Sequence, residues 1–290
     1  MKYHLHENGW VVTVEDFDMA TCTQEDVNLM ARLIAKYTFV LAKNQFPTPA
    51  EEVRFAKMFH NPLPLFGRDS KEVKTKGIDP NGADPDGIFL RVTGKKEDGW
   101  ELGIAGHDEE LAWHSNVPWV ADRSSIVYLR SVEGSVGSIT EWNNTILAYR
   151  DLPGELKQQI ANLKTVPLSD VRLALSLQGE DMGKEVENQH RFNLVHTNIA
   201  GQTGMYFPFL QISRFDGMTR EESKPLLNLL AEHVTNPKYC YQHHWENGDV
   251  TISEQWLGIH RRLHFDRMQE RILHRAGWDF PIQNYLEDVV

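Results

Sequence analysis

Hydrophobic positions along this chain recur first at helical spacing and then, for most of its length, at strand spacing. Over residues 23–36, Val27, Met30, Ala31, Leu33 and Ile34 form one apolar stripe. Thr23 can cap that helix, and Glu25 and Asp26 suit the positive end of its dipole. Tyr37–Ala42 is aromatic and β-branched and reads as a strand. After the turn Pro47-Thr48-Pro49, with Thr48 as N-cap, Val53, Phe55, Ala56 and Phe59 give a second helix over 49–59 an apolar side. Short strands are then expected at Ile88–Thr93, Ala112–Asn116, Ile126–Arg130, Gly137–Trp142, Phe192–His196, Met205–Phe209, Gln211–Arg214, Tyr239–Trp245, Asp249–Trp256 and Ile272–Ala276. Short helices fit Asn144–Leu152 and Leu156–Leu163. A longer amphipathic one fits Thr219–Val234, with Pro225, Leu226, Leu227, Leu229, Leu230 and Val234 on its inner side. The stretches 67–87 and 94–110, rich in polar and turn residues, read as loops, of the kind that serve as lids or binding loops.

No repeat, low-complexity tract or linker divides the sequence, so one domain over 1–290 is expected. Many short strands with helices at the start (about 23–59) and a helical insertion (about 144–234) predict a mainly β, α+β architecture, a sandwich or jelly roll with flanking helices.

Composition narrows the function by exclusion. The net charge of −11 argues against a nucleic-acid surface, which needs clustered Lys and Arg. No apolar run approaches the roughly 18–20 residues of a membrane helix, and Met1–Glu7 lacks the apolar core of a signal peptide. Cys22 and Cys240 are too few for a disulfide framework or a cysteine zinc site, and a reducing cytoplasm is expected. One local exception to the acidic balance is the stretch from Arg261 to Arg275, which holds five arginines beside His260.

That stretch draws attention to chemistry. Trp256-Leu257-Gly258-Ile259-His260 ends an apolar segment on a histidine, and Trp113-His114-Ser115-Asn116 places a second one in a similar aromatic setting. On a strand, positions 114 and 116 share a face, so two histidines and residue 116 could meet one metal. Two histidines with one carboxylate, leaving open positions, is the arrangement of non-haem Fe(II) oxygenases. An α-keto acid bound there needs a buried cation for its far carboxylate; Arg271 suits this by its bidentate fork, and the Thr140 hydroxyl could add a hydrogen bond. Tyr206 and Phe207 are candidates for a substrate-pocket wall, with core packing an equally good account. His243 and His244 are adjacent and should face opposite sides of a strand.

Taken in order, these pieces resemble the taurine dioxygenase family of Fe(II)- and 2-oxoglutarate-dependent oxygenases. The carriers are Val40–Phe46 with Phe55–Phe59, then Trp113-His114-Ser115-Asn116, then Gly137–Trp142 followed by Ala148-Tyr149, then Gly248–Arg262, and finally Arg271–Arg275. The match runs over about residues 30–280. The resemblance implies a double-stranded β-helix core, His114 and His260 as iron ligands, and Thr140 and Arg271 as holders of 2-oxoglutarate. It implies Arg275 as a contact to an anionic substrate group. It further implies O2 and a small molecule as co-substrates and hydroxylation of an unactivated C–H bond. Family members commonly form homo-oligomers, and no feature here fixes that state.

Asn116 stands where the family has an acid, and a neutral amide oxygen is a weaker donor to a hard cation. Three readings follow. Asn116 ligates through its oxygen; or water, an anion or an acid such as Asp108, Glu109 or Glu141 fills the position; or the chain is a catalytically impaired homologue. In the last case it would bind a small anion or pair structurally with another protein.

Overall fold

The computed structural model describes residues 1–59, 88–93, 110–116, 125–169, 183–185, 190–198, 200–265 and 271–279. The loop expected at 67–87, nearly all of that at 94–110, and with them Asp108 and Glu109, lie outside the described residues.

In chain order the strands are β1 Lys2–Leu5, β2 Val11–Glu15, β3 Phe39–Ala42, β4 Leu90–Thr93, β5 Leu111–His114, β6 Ser125–Glu133, β7 Ile139–Asn143 and β8 Lys164–Ser169. They continue with β9 Lys184–Glu185, β10 Phe192–Asn193, β11 Val195–Thr197, β12 Thr203–Met205, β13 Ile212–Phe215, β14 Cys240–His244, β15 Val250–Glu254, β16 His260–Arg262 and β17 Ile272–Asp279. The helices are α1 Gln24–Tyr37, α2 Pro49–Met58, α3 Thr145–Asp151, α4 Gly154–Ile160 and α5 Arg220–Val234.

Two sheets make the jelly-roll core. The larger runs β1-β2-β3-β15-β6-β17-β4, with only the β2–β3 pair parallel, and the smaller runs β14-β7-β16-β5. Side chains from both sheets meet between them. Trp10, Phe39, Leu41, Leu129 and Leu273 come from the larger side and Trp142, Tyr241 and Trp245 from the smaller. The opposite face of the larger sheet (Val12, Val40, Tyr128, Ile252, Ala276, Trp278) is covered by α1 and α2 through Val27, Met30, Ile34, Phe55 and Phe59.

Both covering helices begin as their sequences require. Thr23 and Thr48 each form a capping box, with Asp26 and Glu51 returning to the cap N–H. α1 runs one residue past its expected end at 36, to Tyr37. Thr38 then turns left-handed at φ 69, so the strand starts at Phe39 rather than Tyr37. That conformation is costly for a β-branched residue. It is held by contacts on every side: Thr38 N–H donates to Ile34 O, its carbonyl accepts from Glu254 N–H, and its hydroxyl accepts from Asn144 Nδ2.

In α5 the inner side is Ser223, Leu226, Leu230 and Val234, whereas Pro225 and Leu229 are exposed. Pro225 lies in the second turn, and the preceding capping box of Thr219 and Glu222 starts the helix firmly enough to carry it. The expected strand Phe192–His196 is split at Leu194, whose N–H bonds to Leu163 O. Its second half, β11, forms a hairpin with β12. Met205–Phe209 is strand only at its first residue and becomes a single 3-10 turn at Phe209–Gln211. The sequence pattern does not announce β1, β2 or β8.

Candidate functional site

β5, β7 and β16 lie side by side and bring the two distant histidines together. His260 is directly opposite His114 on one side and Trp142 on the other. The imidazole centroids are 4.3 Å apart, and the Trp142 ring lies nearly parallel to that of His260 at 6.2 Å. Both histidines are buried. The main-chain approach to His260 is braced: Asn143 N–H donates to Ile259 O, and Ile259 N–H donates to Asn143 Oδ1. Gly258 makes this possible, since a Cβ there would meet Asn143 O at 2.9 Å.

His114 Nδ1 donates to Ala112 O at 2.7 Å, which leaves the Nε2 lone pair for another partner. Burial, helped by the nearby Arg275 and Arg262, pushes the His114 imidazole down to about 4. Burial also holds His260 well below its ordinary value, with His114 and Arg275 adding to the effect. Both rings are therefore neutral near pH 7, the state a metal ligand needs.

Residue 116 arrives differently from the sequence expectation. The strand stops at His114. Beyond it the chain is held by two buried glutamines: Ser115 N–H donates to Gln211 Oε1, Asn116 N–H donates to Gln255 Oε1, and Ser115 Oγ donates to Gln255 O. Asn116 still reaches the histidines, but through this clamp rather than by strand alternation. Its Nδ2 lies 2.8 Å from His260 Nε2, and its Oδ1 accepts from Arg275 Nη2 at 2.6 Å. Gln211 and Gln255 carry no periodic or motif signal; near-complete burial of an amide is what marks them.

Glu141 is not a substitute ligand. It sits opposite Arg261, one position out of step with His260, and therefore on the other face of the sheet. There it accepts from Arg261 Nε at 2.6 Å, while Arg261 also reaches Glu110 and lies over the Trp113 ring. Among the described residues no group of three or more His, Cys, Asp or Glu side chains could hold a metal. The two imidazoles fit a metal; among the described residues the side chain that meets them is the neutral amide of Asn116, with its nitrogen toward His260.

Beside them lies a cationic wall. Arg271, just before β17, and Arg275, on it, alternate with Leu273 toward the inter-sheet space. Arg271 is buried, donates from Nε to Ser138 Oγ at 3.3 Å, and has Nη1 without a hydrogen-bond partner among the described residues. Phe265 lies between the Arg262 and Arg271 guanidinium groups, at 4.7 and 4.9 Å. Arg262 is thus buried, contrary to the solvated role its place in a basic run suggests. Burial, then the neighbouring Arg262, brings Arg271 down to about 9, and burial brings Arg275 to about 10, so both remain charged at neutral pH. Neither has an acidic partner among the described residues. Thr140, opposite Arg262, accepts from Trp245 Nε1 at 2.9 Å, so its own O–H remains free to donate.

Tyr206 is buried in a cluster with Phe192, Trp256 and Leu257, its ring tilted against that of Trp256 at 4.4 Å. His243 is buried and His244 exposed, as strand alternation requires. His274 is buried and His264 exposed.

The sequence profile of the family described as "Taurine catabolism dioxygenase TauD, TfdA family" matches residues 3–276. The chain belongs to the TauD/TfdA family. It is 25% identical over 233 residues to pentalenolactone F synthase of Streptomyces arenae, covering 73% of this chain and 75% of that one. It is 24% identical over 276 residues to the alpha-ketoglutarate-dependent 2,4-dichlorophenoxyacetate dioxygenase of Cupriavidus pinatubonensis, covering 91% and 92%. The fold is similar to that of AAD-2, solved in complex with Mn(II) and N-oxalylglycine, with a TM-score of 0.73 at 20% identity over 97% of this chain and 98% of that one. The family is one of 2-oxoglutarate-dependent dioxygenases that use iron, which is the enzyme class the sequence motifs imply.

Proposed function

We propose that this TauD/TfdA-family dioxygenase oxidises a C–H bond of a small anionic molecule, using the His114–His260 pair as its iron site. The observation that carries this reading is the meeting of two neutral, buried imidazoles with two arginines, Arg271 buried and Arg275 partly so, that lack acidic partners among the described residues. A buried cation without a counter-ion is expensive. Two of them beside a metal-competent histidine pair suit ligands that bring their own negative charge.

His114 and His260 would hold the metal through Nε2. The iron, when bound, couples oxidative decarboxylation of 2-oxoglutarate by O2 to hydroxylation of the substrate, yielding succinate and CO2. Arg271 would take the far carboxylate of 2-oxoglutarate as a fork, with the Thr140 hydroxyl donating to the same group. Trp245 fixes that hydroxyl by occupying one of its lone pairs. Arg275 would meet the anionic group of the substrate, and Tyr206 would serve as apolar wall, its phenol kept protonated by burial. Burial of His114, His260 and Arg271 would keep bulk water away from the reacting centre. A reducing cytoplasm suits both the metal and the free thiols Cys22 and Cys240.

A second reading, a catalytically impaired relative that binds a small anion, is favoured by the amide at position 116 and its engagement with Arg275. Anaerobic Fe(II) with 2-oxoglutarate separates the two. The enzyme should give a metal-to-ligand charge-transfer band in the visible and release succinate on admission of O2. Absence of the band, with an active relative measured in parallel, would overturn the enzymatic reading.

A further inference from the structure

Arg275 reaches from β17 to the residue that stands where the family has an acid. A guanidinium only donates, so the Asn116 amide must turn its oxygen to Arg275 Nη2, 2.6 Å away, and its N–H to His260 Nε2, 2.8 Å away. In that orientation Asn116 offers no lone pair toward the histidines, and it covers the His260 nitrogen that would bind a metal. Turning the amide over would present its oxygen to the metal but set N–H against guanidinium, donor against donor. As placed, with its oxygen on Arg275 and its nitrogen on His260, Asn116 cannot serve Arg275 and a metal together. An aspartate could, because each of its oxygens accepts.

Two further observations bear on what could release it. Arg275 Nε is buried and has no hydrogen-bond partner among the described residues, so the guanidinium has donors left for an anion. The main chain at Ser115 and Asn116 is clamped by Gln211 and Gln255, which confines any rearrangement to the Asn116 side chain.

On the reading that this is an iron site, we propose that Arg275 is a latch on Asn116: an anionic substrate that engages Arg275 frees the amide oxygen for the metal. The carboxylate or sulfonate of a small organic acid is the chemistry the latch recognises. Metal and anion then bind cooperatively, and by linkage each raises the affinity for the other by the same factor. Arg275 is a positioning residue in this scheme, since it acts on the metal through residue 116.

The test is Mn(II) binding, followed by loss of the free-ion electron paramagnetic resonance signal, at constant ionic strength with and without ethanesulfonate. That anion carries no keto group and so cannot mimic chelation by 2-oxoglutarate. Four proteins are compared: wild type, Arg275→Leu, Asn116→Ala and the double variant. Removing a positive charge near the site tightens Mn(II) binding whatever residue 116 is, and the Asn116→Ala background measures that part alone. Without any anion, the latch predicts that Arg275→Leu tightens Mn(II) binding at least about fivefold more in the wild-type background than in the Asn116→Ala background. It also predicts that ethanesulfonate tightens Mn(II) binding more in wild type than in Asn116→Ala, a comparison that survives even if Arg275→Leu does not fold. Equal effects in both backgrounds overturn the latch and leave the iron site standing. Failure of every protein to bind Mn(II) overturns both.

Discussion

On the helix side of β17, His274 enters a cluster in which charge is met by charge. Glu52, fully buried on α2, accepts from Arg130 Nε at 2.9 Å and Nη2 at 2.5 Å, from Tyr128 Oη at 2.8 Å and from His274 Nδ1 at 2.8 Å. On the inner side of the same strand segment, one residue out of step, Arg271 is as deeply placed and Arg275 partly buried, and neither has an acidic partner among the described residues. Burial favours the neutral form on both sides. In the first cluster hydrogen bonds from His274 and Arg130 overcome it and bring the Glu52 carboxyl to about 2. In the second it is left uncompensated by acids, and the arginines drop toward about 9 and 10. The contrast separates the two kinds of charge: the cluster around Glu52 is complete within the chain, and on the proposed reading the arginines on the other side are completed by a ligand.

Breaking the complete cluster should have the largest effect. Glu52→Ala leaves Arg130 buried without its carboxylate and should cost about 3–5 kcal/mol of stability, read from urea denaturation. The same cluster sets an acid limit. Because the folded carboxyl lies below its ordinary 4.5, its stabilisation is fully present above that pH and is lost as pH falls from there through about 2. Glu52→Ala should flatten the stability profile over that window, and an unchanged profile would contradict the assignment.

Removing a charge from the incomplete cluster should act on binding instead. Arg271→Leu should weaken 2-oxoglutarate or N-oxalylglycine binding by about 2–5 kcal/mol while leaving the melting temperature level or higher. A large loss of stability would mean that Arg271 belongs to the structural class after all. The smallest effect sharpens the same line from behind it. Trp245→Phe removes the donor that orients Thr140, and should raise KM for 2-oxoglutarate by about 0.5–1.5 kcal/mol equivalent without changing KM for the substrate.

Much of this is legible without the structure, for identifiable reasons. Thr23, Thr48 and Thr219 announce their helices because capping is local chemistry. His114, His260 and Arg271 stand out because each sits in an aromatic or basic context that ordinary core positions lack. β1 escapes notice because it is only four residues long and all four are exposed, Tyr3 and Leu5 included. Arg262 misleads because a basic run looks solvated unless its strand neighbours are known. Gln211 and Gln255 are invisible for a related reason: their role is to accept from backbone N–H groups, and nothing in sequence spacing reports that.

The clamp those two glutamines make has a consequence for how this site can change. Residue 116 contributes no rung to a sheet, and its main chain is fixed by side chains that do not depend on its own. The position is thus interchangeable in a way that His114 and His260, facing each other across a strand pair, are not. On the proposed reading, the side chain offered to the metal at this position can therefore be revised by a single substitution while the main chain that carries it stays held by Gln211 and Gln255.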